Sequence, residues 1–283
     1  MQQKPTLIEF FKEVYNIWIT ERPSQLAAAL AYFSLFSFAP IVYIAYTISS
    51  LVLNAALVET QVIEQLAARM NPEIYEFLES SVNQLAETTS SGNIIITLIG
   101  IVALFYAASS LFFQIQYALN KIWNVPLPER GQTGVFIRQR LFSFLMVLGV
   151  ALLLIVVTLA SLVISIVDNF IDINLIIRIL NTLTMLAIIT AALILIYKIL
   201  PDTKVAWRDV ILGAFSAALL LMIAAFFLGL YISSSRLTSA AEAAGAVAVF
   251  LITFNVMAQI FLIGAIISRV YAHTYGSLIV DNT

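Results

Sequence analysis

The sequence contains no cysteine and only one histidine, His273, among its 283 residues. The absence of cysteine excludes disulfide bonds, thiolate chemistry and cysteine-based metal sites. A single histidine cannot supply a zinc cluster, and a Ser/His/Asp triad would depend entirely on His273. We therefore expect neither a metal site nor a catalytic site, and no cofactor.

Charged residues are also scarce, at 11% of the chain, whereas a soluble domain is roughly a quarter charged. The net charge of −2 provides no basic field that would attract nucleic acid. The chain contains neither of the glycine-rich loops that bind phosphates or dinucleotides. These absences argue against an enzyme and against a nucleic-acid-binding protein.

Long apolar runs make up most of the sequence, which has 61% hydrophobic residues and a mean hydropathy of +1.00. A helix of about 20 apolar residues crosses a hydrocarbon core of roughly 30 Å. Six stretches of about that length or more lack Asp, Glu, Lys, Arg and His: Pro23–Val58, Thr88–Asn120, Leu141–Val167, Ile179–Tyr197, Val210–Ser235 and Ala243–Ser268. The sequence thus predicts an all-α, polytopic membrane protein with six transmembrane helices.

These stretches divide the chain into spans and connections. The predicted spans are residues 24–58, 93–119, 141–167, 179–200, 210–235 and 243–268. The predicted connections are an N-terminal interfacial helix at 1–23, an extracytoplasmic helical hairpin at 59–92, cytoplasmic loops at 120–140 and 201–209, outer loops at 168–178 and 236–242, and a cytoplasmic tail at 269–283.

The distribution of lysine and arginine predicts the orientation in the membrane. With six spans, eleven of these residues fall on the side of the two termini and three fall on the other side. Loops rich in lysine and arginine stay in the cytoplasm. Both termini are therefore predicted to be cytoplasmic.

The N-terminal segment has the pattern of an amphipathic helix. Thr6 and Glu9 have the spacing of a capping box. Six apolar residues then recur at helical spacing on one face: Leu7, Phe10, Phe11, Val14, Ile17 and Trp18. Such a helix can lie in the membrane interface with Trp18 at headgroup level, or it can pack beneath the bundle as a structural support. Both interpretations stay open.

The hairpin between the first two spans is acidic. Asn71-Pro72-Glu73 is typical of a helix start, and Ile74, Phe77, Leu78, Val82 and Leu85 continue one apolar face. A solvated cap is one interpretation of the acidic face. The alternatives are a cover over a cavity and a surface that binds a cationic partner.

Polar residues within the spans are candidates for a cavity lining: Tyr32, Ser37, Pro40, Gln114, Asn255 and Gln259. Asn255 and Gln259 are four residues apart and share a helix face. Pro40 lacks a backbone N–H, so the first span should kink there. The stretch is too long for one perpendicular helix, and it must tilt, project from the membrane or break at Pro40. The alternative is that the amides hydrogen-bond neighbouring helices and hold the bundle together. Small residues are expected at close helix contacts: Gly213, Ala217, Ala244 and Ala248.

Several motifs resemble those of the YihY/BrkB family of bacterial inner-membrane proteins. The run from Leu26 to Pro40 is similar to the signature of that family's first span. Further resemblances occur in the right order: Ala118-Leu-Asn-Lys-Ile-Trp123, Leu200-Pro-Asp, Trp207-Arg-Asp, Gly213-Ala214, Ala244-Gly-Ala-Val and Gly264-Ala265. One departure is Ile266, where the family often has glutamate.

The resemblance implies a protein of the bacterial cytoplasmic membrane, where some members are suggested to transport a lipid or another amphiphile. An old ribonuclease BN label of the family has no support in these residues, because the predicted cytoplasmic side lacks a metal-binding cluster. Two hypotheses follow: a transporter not driven by protons, or an envelope scaffold that does not transport. The expected partners are membrane lipids, with an amphiphilic substrate, a second copy of the chain or an envelope protein left open.

Overall fold

The computed structural model describes residues 6–52, 94–125, 174–234 and 242–277, together with positions 76, 79–80, 83–84, 87, 149 and 152. The predicted third span, Leu141–Val167, lies outside these residues apart from positions 149 and 152, and so does most of the predicted hairpin. The six described hairpin positions are helical and exposed, and their spacing places them on one helix face. The described residues are helical or lie in short connections, without a strand among them.

Six helices account for most of the described chain. They are α1 (Leu7–Glu21), α2 (Pro23–Val52), α3 (Ile94–Ile122), α4 (Asn174–Ile199), α5 (Trp207–Ser234) and α6 (Glu242–Thr274). All except α1 contain a stretch that is long and apolar enough to cross a membrane. This result confirms that the protein has several membrane-spanning helices, and it identifies five candidates within the described residues.

The first span does not break at Pro40. Helix α2 is continuous from Pro23 to Val52 with Pro40 in its interior, so of the three alternatives the break is excluded, and a tilt or a projection from the membrane stays open. Proline removes one hydrogen bond of a helix, and the turns on either side can retain theirs. A kink at Pro40 stays a prediction.

Several helices extend beyond their predicted ends, and α4 and α6 do so by the most residues. Helix α4 begins at Asn174, so Arg178 belongs to the helix and not to a loop. Helix α6 continues past Ser268 to Thr274, which makes the first part of the predicted tail helical. The charge-free stretches marked the apolar part of each helix, whereas backbone hydrogen bonding continues into the polar surroundings.

Helix α6 is the centre of the bundle. It packs against α1, α2, α3 and α5, while α2 also packs on α3 and α4 on α5. Helices α5 and α6 approach each other closely, because a Cβ on Gly264 would lie 2.5 Å from the Cβ of Ala217 and 2.8 Å from the carbonyl oxygen of Gly213. The expectation of close packing is confirmed for Gly213 and Ala217, but Ala248 is exposed.

The start of α2 and the ends of α3, α4 and α6 meet on one side of the bundle, which we call the base. Arg269 of α6 lies 3.8 Å from the carboxylate of Glu21 and donates to the carbonyl oxygen of Ile122. Asn120 of α3 hydrogen-bonds Asp202, which follows α4. The two ends of the described chain are therefore on the same side.

Helix α1 packs across the base. The carboxylate of Glu9 accepts a hydrogen bond from the Thr6 backbone N–H at 2.7 Å, as the predicted capping box requires. Phe10 and Ile17 are buried against the bundle, with Val14 and Trp18 partly buried. Leu7 and Phe11, which were predicted on the same apolar face, are exposed, so the six apolar residues do not all pack on the bundle.

Candidate functional site

A row of side chains on α6 changes character halfway along the bundle. Leu262, Ile266 and Val270 are completely or almost completely buried in the main apolar core. Asn255 and Gln259 continue this row at helical spacing away from the base, and both are only half-buried. The row thus changes from buried apolar side chains near the base to half-buried polar side chains above it.

The two amides bind each other and not a neighbouring helix. The side-chain N–H of Gln259 donates to the side-chain oxygen of Asn255 at 2.6 Å. An amide side chain offers two N–H donors and an oxygen acceptor. In the described part of the chain, neither amide hydrogen-bonds another helix. The packing role, which requires such bonds, is therefore not what the described contacts show for these two residues.

Helices α4 and α5 lose their buried residues in the upper half of the bundle, the half away from the base. On α5, buried residues occur as far as Ala218, but none of the residues from Leu219 to Leu230 is buried. On α4, none of the residues from Thr182 to Ala192 is buried. Burial on the described parts of α4 and α5 is therefore confined to the half near the base, whereas α2, α3 and α6 keep buried residues above it, such as Ile44, Ala108 and Phe250.

Within the described residues, the other four predicted site residues make no hydrogen bond to this pair. Ser37 is buried and its hydroxyl donates to the carbonyl oxygen of Ala107 at 2.6 Å, which joins α2 to α3. Pro40 is buried, Gln114 is half-buried and Tyr32 is 56% exposed beside Phe36. Among the described residues, Gln114 makes no hydrogen bond to Asn255 or Gln259. A lining shared by all six residues stays a prediction.

The sequence did not predict a polar cluster at the base, which is formed by Gln116, Asn120 and Asp202. The Asp202 carboxylate accepts hydrogen bonds from Asn120 at 2.8 Å and from Gln116 at 3.2 Å. The Asp202 backbone N–H donates to the side-chain oxygen of Asn120 at 2.8 Å. The signal was present in two motifs of the sequence, one ending at Trp123 and the other at Asp202, but spacing alone could not pair them.

Further polar contacts close the base. The ammonium of Lys198 donates to the carbonyl oxygen of Val205 and lies 5.9 Å from the centre of the Trp207 ring. The buried carboxylate of Asp209, in the first turn of α5, accepts hydrogen bonds from the backbone and hydroxyl of Ser277. These contacts join the end of α4 to the start of α5, and the start of α5 to the segment after α6. They fit a structural role at the base better than a catalytic one.

The described residues offer no group of three or more His, Asp or Glu that could hold a metal ion. What the site can offer is hydrogen bonding by neutral amides at the edge of an apolar bundle. Together with five apolar helices of membrane-spanning length, this defines the class: a polytopic helical membrane protein.

The family is shown by comparison with known proteins. Residues 15–282 match the family described as Virulence factor BrkB. The chain belongs to this family, which confirms the resemblance drawn from its motifs. No solved structure matches the chain.

Relatives in several bacteria carry the name UPF0761 membrane protein. The protein from Teredinibacter turnerae is 25% identical over 274 residues, covering 96% of this chain and 63% of the relative. The protein from Azotobacter vinelandii is 25% identical, covering 91% and 62%, and that from Alcanivorax borkumensis is 27% identical, covering 71% and 45%. The chain thus spans less than two thirds of the length of these relatives.

Proposed function

We propose that the protein is a translocator of lipids or related amphiphiles that is not driven by protons, located in the bacterial inner membrane. The observation that carries this proposal is the pair Asn255–Gln259. Its amides are half-buried, hydrogen-bonded to each other, and placed above the base, in the half of the bundle where the described parts of α4 and α5 carry no buried residue. We include in the proposal that the protein catalyses no chemical step.

The chemistry of the pair suits an amphiphile. Neutral amides can donate to a phosphate or accept from a hydroxyl or ammonium group as a headgroup passes. The acyl chains would remain among the exposed apolar side chains of α5, such as Leu219, Ile223 and Phe226. A polar headgroup left without partners in hydrocarbon costs several kcal/mol, roughly 2–7 for an amide or hydroxyl. Two amides along the path would lower that cost.

The placement of charge favours a mechanism that does not depend on proton transfer. In the five described candidate spans, every Asp, Glu, Lys, Arg and His lies near the base. Lys121, Lys198, Asp209 and Arg269 are examples. Proton-driven transporters commonly keep ionisable residues within the membrane as relays. The upper parts of these spans provide only neutral groups.

We also propose six crossings with both termini in the cytoplasm. The contacts at the base support an even number of crossings, because the start of α2 and the end of α6 lie together there. The ends of α3 and α4 also meet at the base. If α4 crosses once, the chain between them must cross as well, and the apolar stretch Leu141–Val167 is the candidate in the sequence.

The test is lipid translocation by purified protein in liposomes containing a trace of fluorescent NBD-phosphatidylethanolamine. Dithionite bleaches only the outer-leaflet label, so translocation increases the bleached fraction beyond that of protein-free vesicles. Gln259→Leu and Asn255→Leu should abolish the increase while the melting temperature holds or rises, because leucine is favourable in lipid.

A matched control is Thr190→Val on α4. Its hydroxyl donates to the carbonyl oxygen of Leu186 in the same helix at 2.7 Å, so the substitution removes a polar group of a span without removing a bond between helices. This variant should translocate like the parent. Vesicles with folded parent protein that bleach only as far as empty vesicles, with anionic and zwitterionic labelled lipids alike, would contradict the proposal.

A further inference from the structure

Helix α1 has two apolar faces, and only one of them touches the protein. The first face, with Phe10, Val14 and Ile17, packs on the bundle. The second face, which we call the outer strip, consists of residues that are between 57% and 80% exposed: Leu7, Ile8, Phe11, Tyr15 and Ile19. The third side of the helix is polar and exposed, with Glu9, Lys12, Glu13, Asn16 and Thr20.

The helix is held against the ends of membrane-spanning helices at two points. Its last residue, Glu21, pairs with Arg269 at 3.8 Å, and a single residue, Arg22 in a left-handed conformation, separates it from the start of α2. Nearer its beginning, Phe10 stacks on Tyr275 with ring centroids 6.3 Å apart. At 1.5 Å per residue, Ile19 lies only about 3 Å along the helix axis from Glu21, the last residue of α1.

From this placement we infer that the outer strip of α1 is embedded in the lipid leaflet at the base of the bundle. The protein covers one side of the helix, and charged and amide residues mark the side that faces water. The remaining apolar side adjoins the first span, so lipid is the apolar phase within its reach. An amphipathic helix of this kind buries its apolar face about 5–10 Å into the boundary between headgroups and acyl chains.

Burial of apolar side chains, and not attraction between charges, drives the insertion of α1. Helix α1 carries three carboxylates, Glu9, Glu13 and Glu21, against the single cation Lys12. Attraction to anionic lipid requires clusters of lysine and arginine. The depth should therefore be the same in zwitterionic and anionic membranes. Because Ile19 adjoins the start of the first span and Phe10 stacks on Tyr275, which lies beyond the last residue of α6, we expect depth to decrease from Ile19 through Tyr15 to Phe11.

The absence of cysteine makes the test direct. Single substitutions Ile19→Cys, Tyr15→Cys and Phe11→Cys are labelled with NBD, with Lys12→Cys and Asn16→Cys as controls on the polar side of the same helix. All five positions are exposed, so substitution is compatible with folding, and the melting temperature of each labelled variant checks it. The proteins are placed in nanodiscs with nitroxide-labelled lipid, or with iodide in solution.

Labels on the outer strip should be quenched by the lipid nitroxide, most strongly at residue 19, and protected from iodide. Labels at residues 12 and 16 should show the reverse. Equal iodide quenching at residues 15 and 16 would overturn the inference. Shielding of the strip in native membranes but not in nanodiscs would identify a protein partner and would also overturn the inference. Insertion that requires anionic lipid would overturn it as well.

Discussion

Asp202 is exposed, yet it satisfies two almost completely buried amides, those of Asn120 and Gln116. Asp202→Ala should leave both amide donors without this partner. A buried donor without a partner costs about 1–3 kcal/mol, so the variant should melt at a lower temperature in detergent. Asp202→Asn keeps one acceptor oxygen and should lose less. Equal melting of the alanine variant and the parent would show that the cluster does not support the base.

The sequence identified individual polar residues more readily than their partners. Asn255 and Gln259 could be placed on one face because helical periodicity is local. Asn120 and Asp202 could not be paired, since they are 82 positions apart and meet only where the end of α3 approaches the connection after α4. Tyr32 and Ser37 show a further limit: both are polar residues of one helix, but one is exposed and the other is buried.

The contact between α5 and α6 depends on the absence of a side chain at Gly264. A Cβ there would lie 2.6 Å from the Tyr197 hydroxyl and 2.5 Å from the Cβ of Ala217. Gly264→Ala should push α4, α5 and α6 apart, and overpacking of this kind typically costs 1–3 kcal/mol. The expected result is a lower melting temperature in detergent.

Gly229 provides the matched control for this substitution. It lies in the upper part of α5, and no atom lies within 4 Å of a Cβ built at this position. Gly229→Ala should leave stability unchanged or raise it slightly, by up to about 1 kcal/mol from helix propensity. If the two alanine variants melted alike, close packing at Gly264 would not be what holds the three helices together.

The helices themselves were predictable because long charge-free stretches have few other solutions in lipid. Their ends were less predictable, as Arg178 in α4 and Arg269 in α6 show, because hydrogen bonding along a helix does not stop where charge begins. Helix α1 was predicted as amphipathic, but a single hydrophobic face could not explain both buried Phe10 and exposed Phe11. Phe10 packs on the bundle and Phe11 belongs to the outer strip that we infer to be in lipid, so two different apolar surroundings account for the two residues.

For the whole molecule, the proposed orientation makes a prediction about labelling in intact cells. Thr203→Cys, which lies in the connection after α4, should be shielded from a membrane-impermeant thiol reagent, and so should Gln132→Cys, which lies outside the described residues. Gln84→Cys, in an exposed helical position of the predicted outer hairpin, should react. All three should react once the membrane is permeabilised. Labelling of Thr203→Cys from outside would contradict cytoplasmic termini.

The most direct test of the translocator account is an experimental structure of the protein in a lipid nanodisc. The account predicts elongated, lipid-like density along the upper half of the bundle, with its polar end at Asn255 and Gln259. A bundle in which side chains of a neighbouring helix fill that space and hydrogen-bond both amides, with no lipid among the helices, would contradict it and leave these residues a packing role.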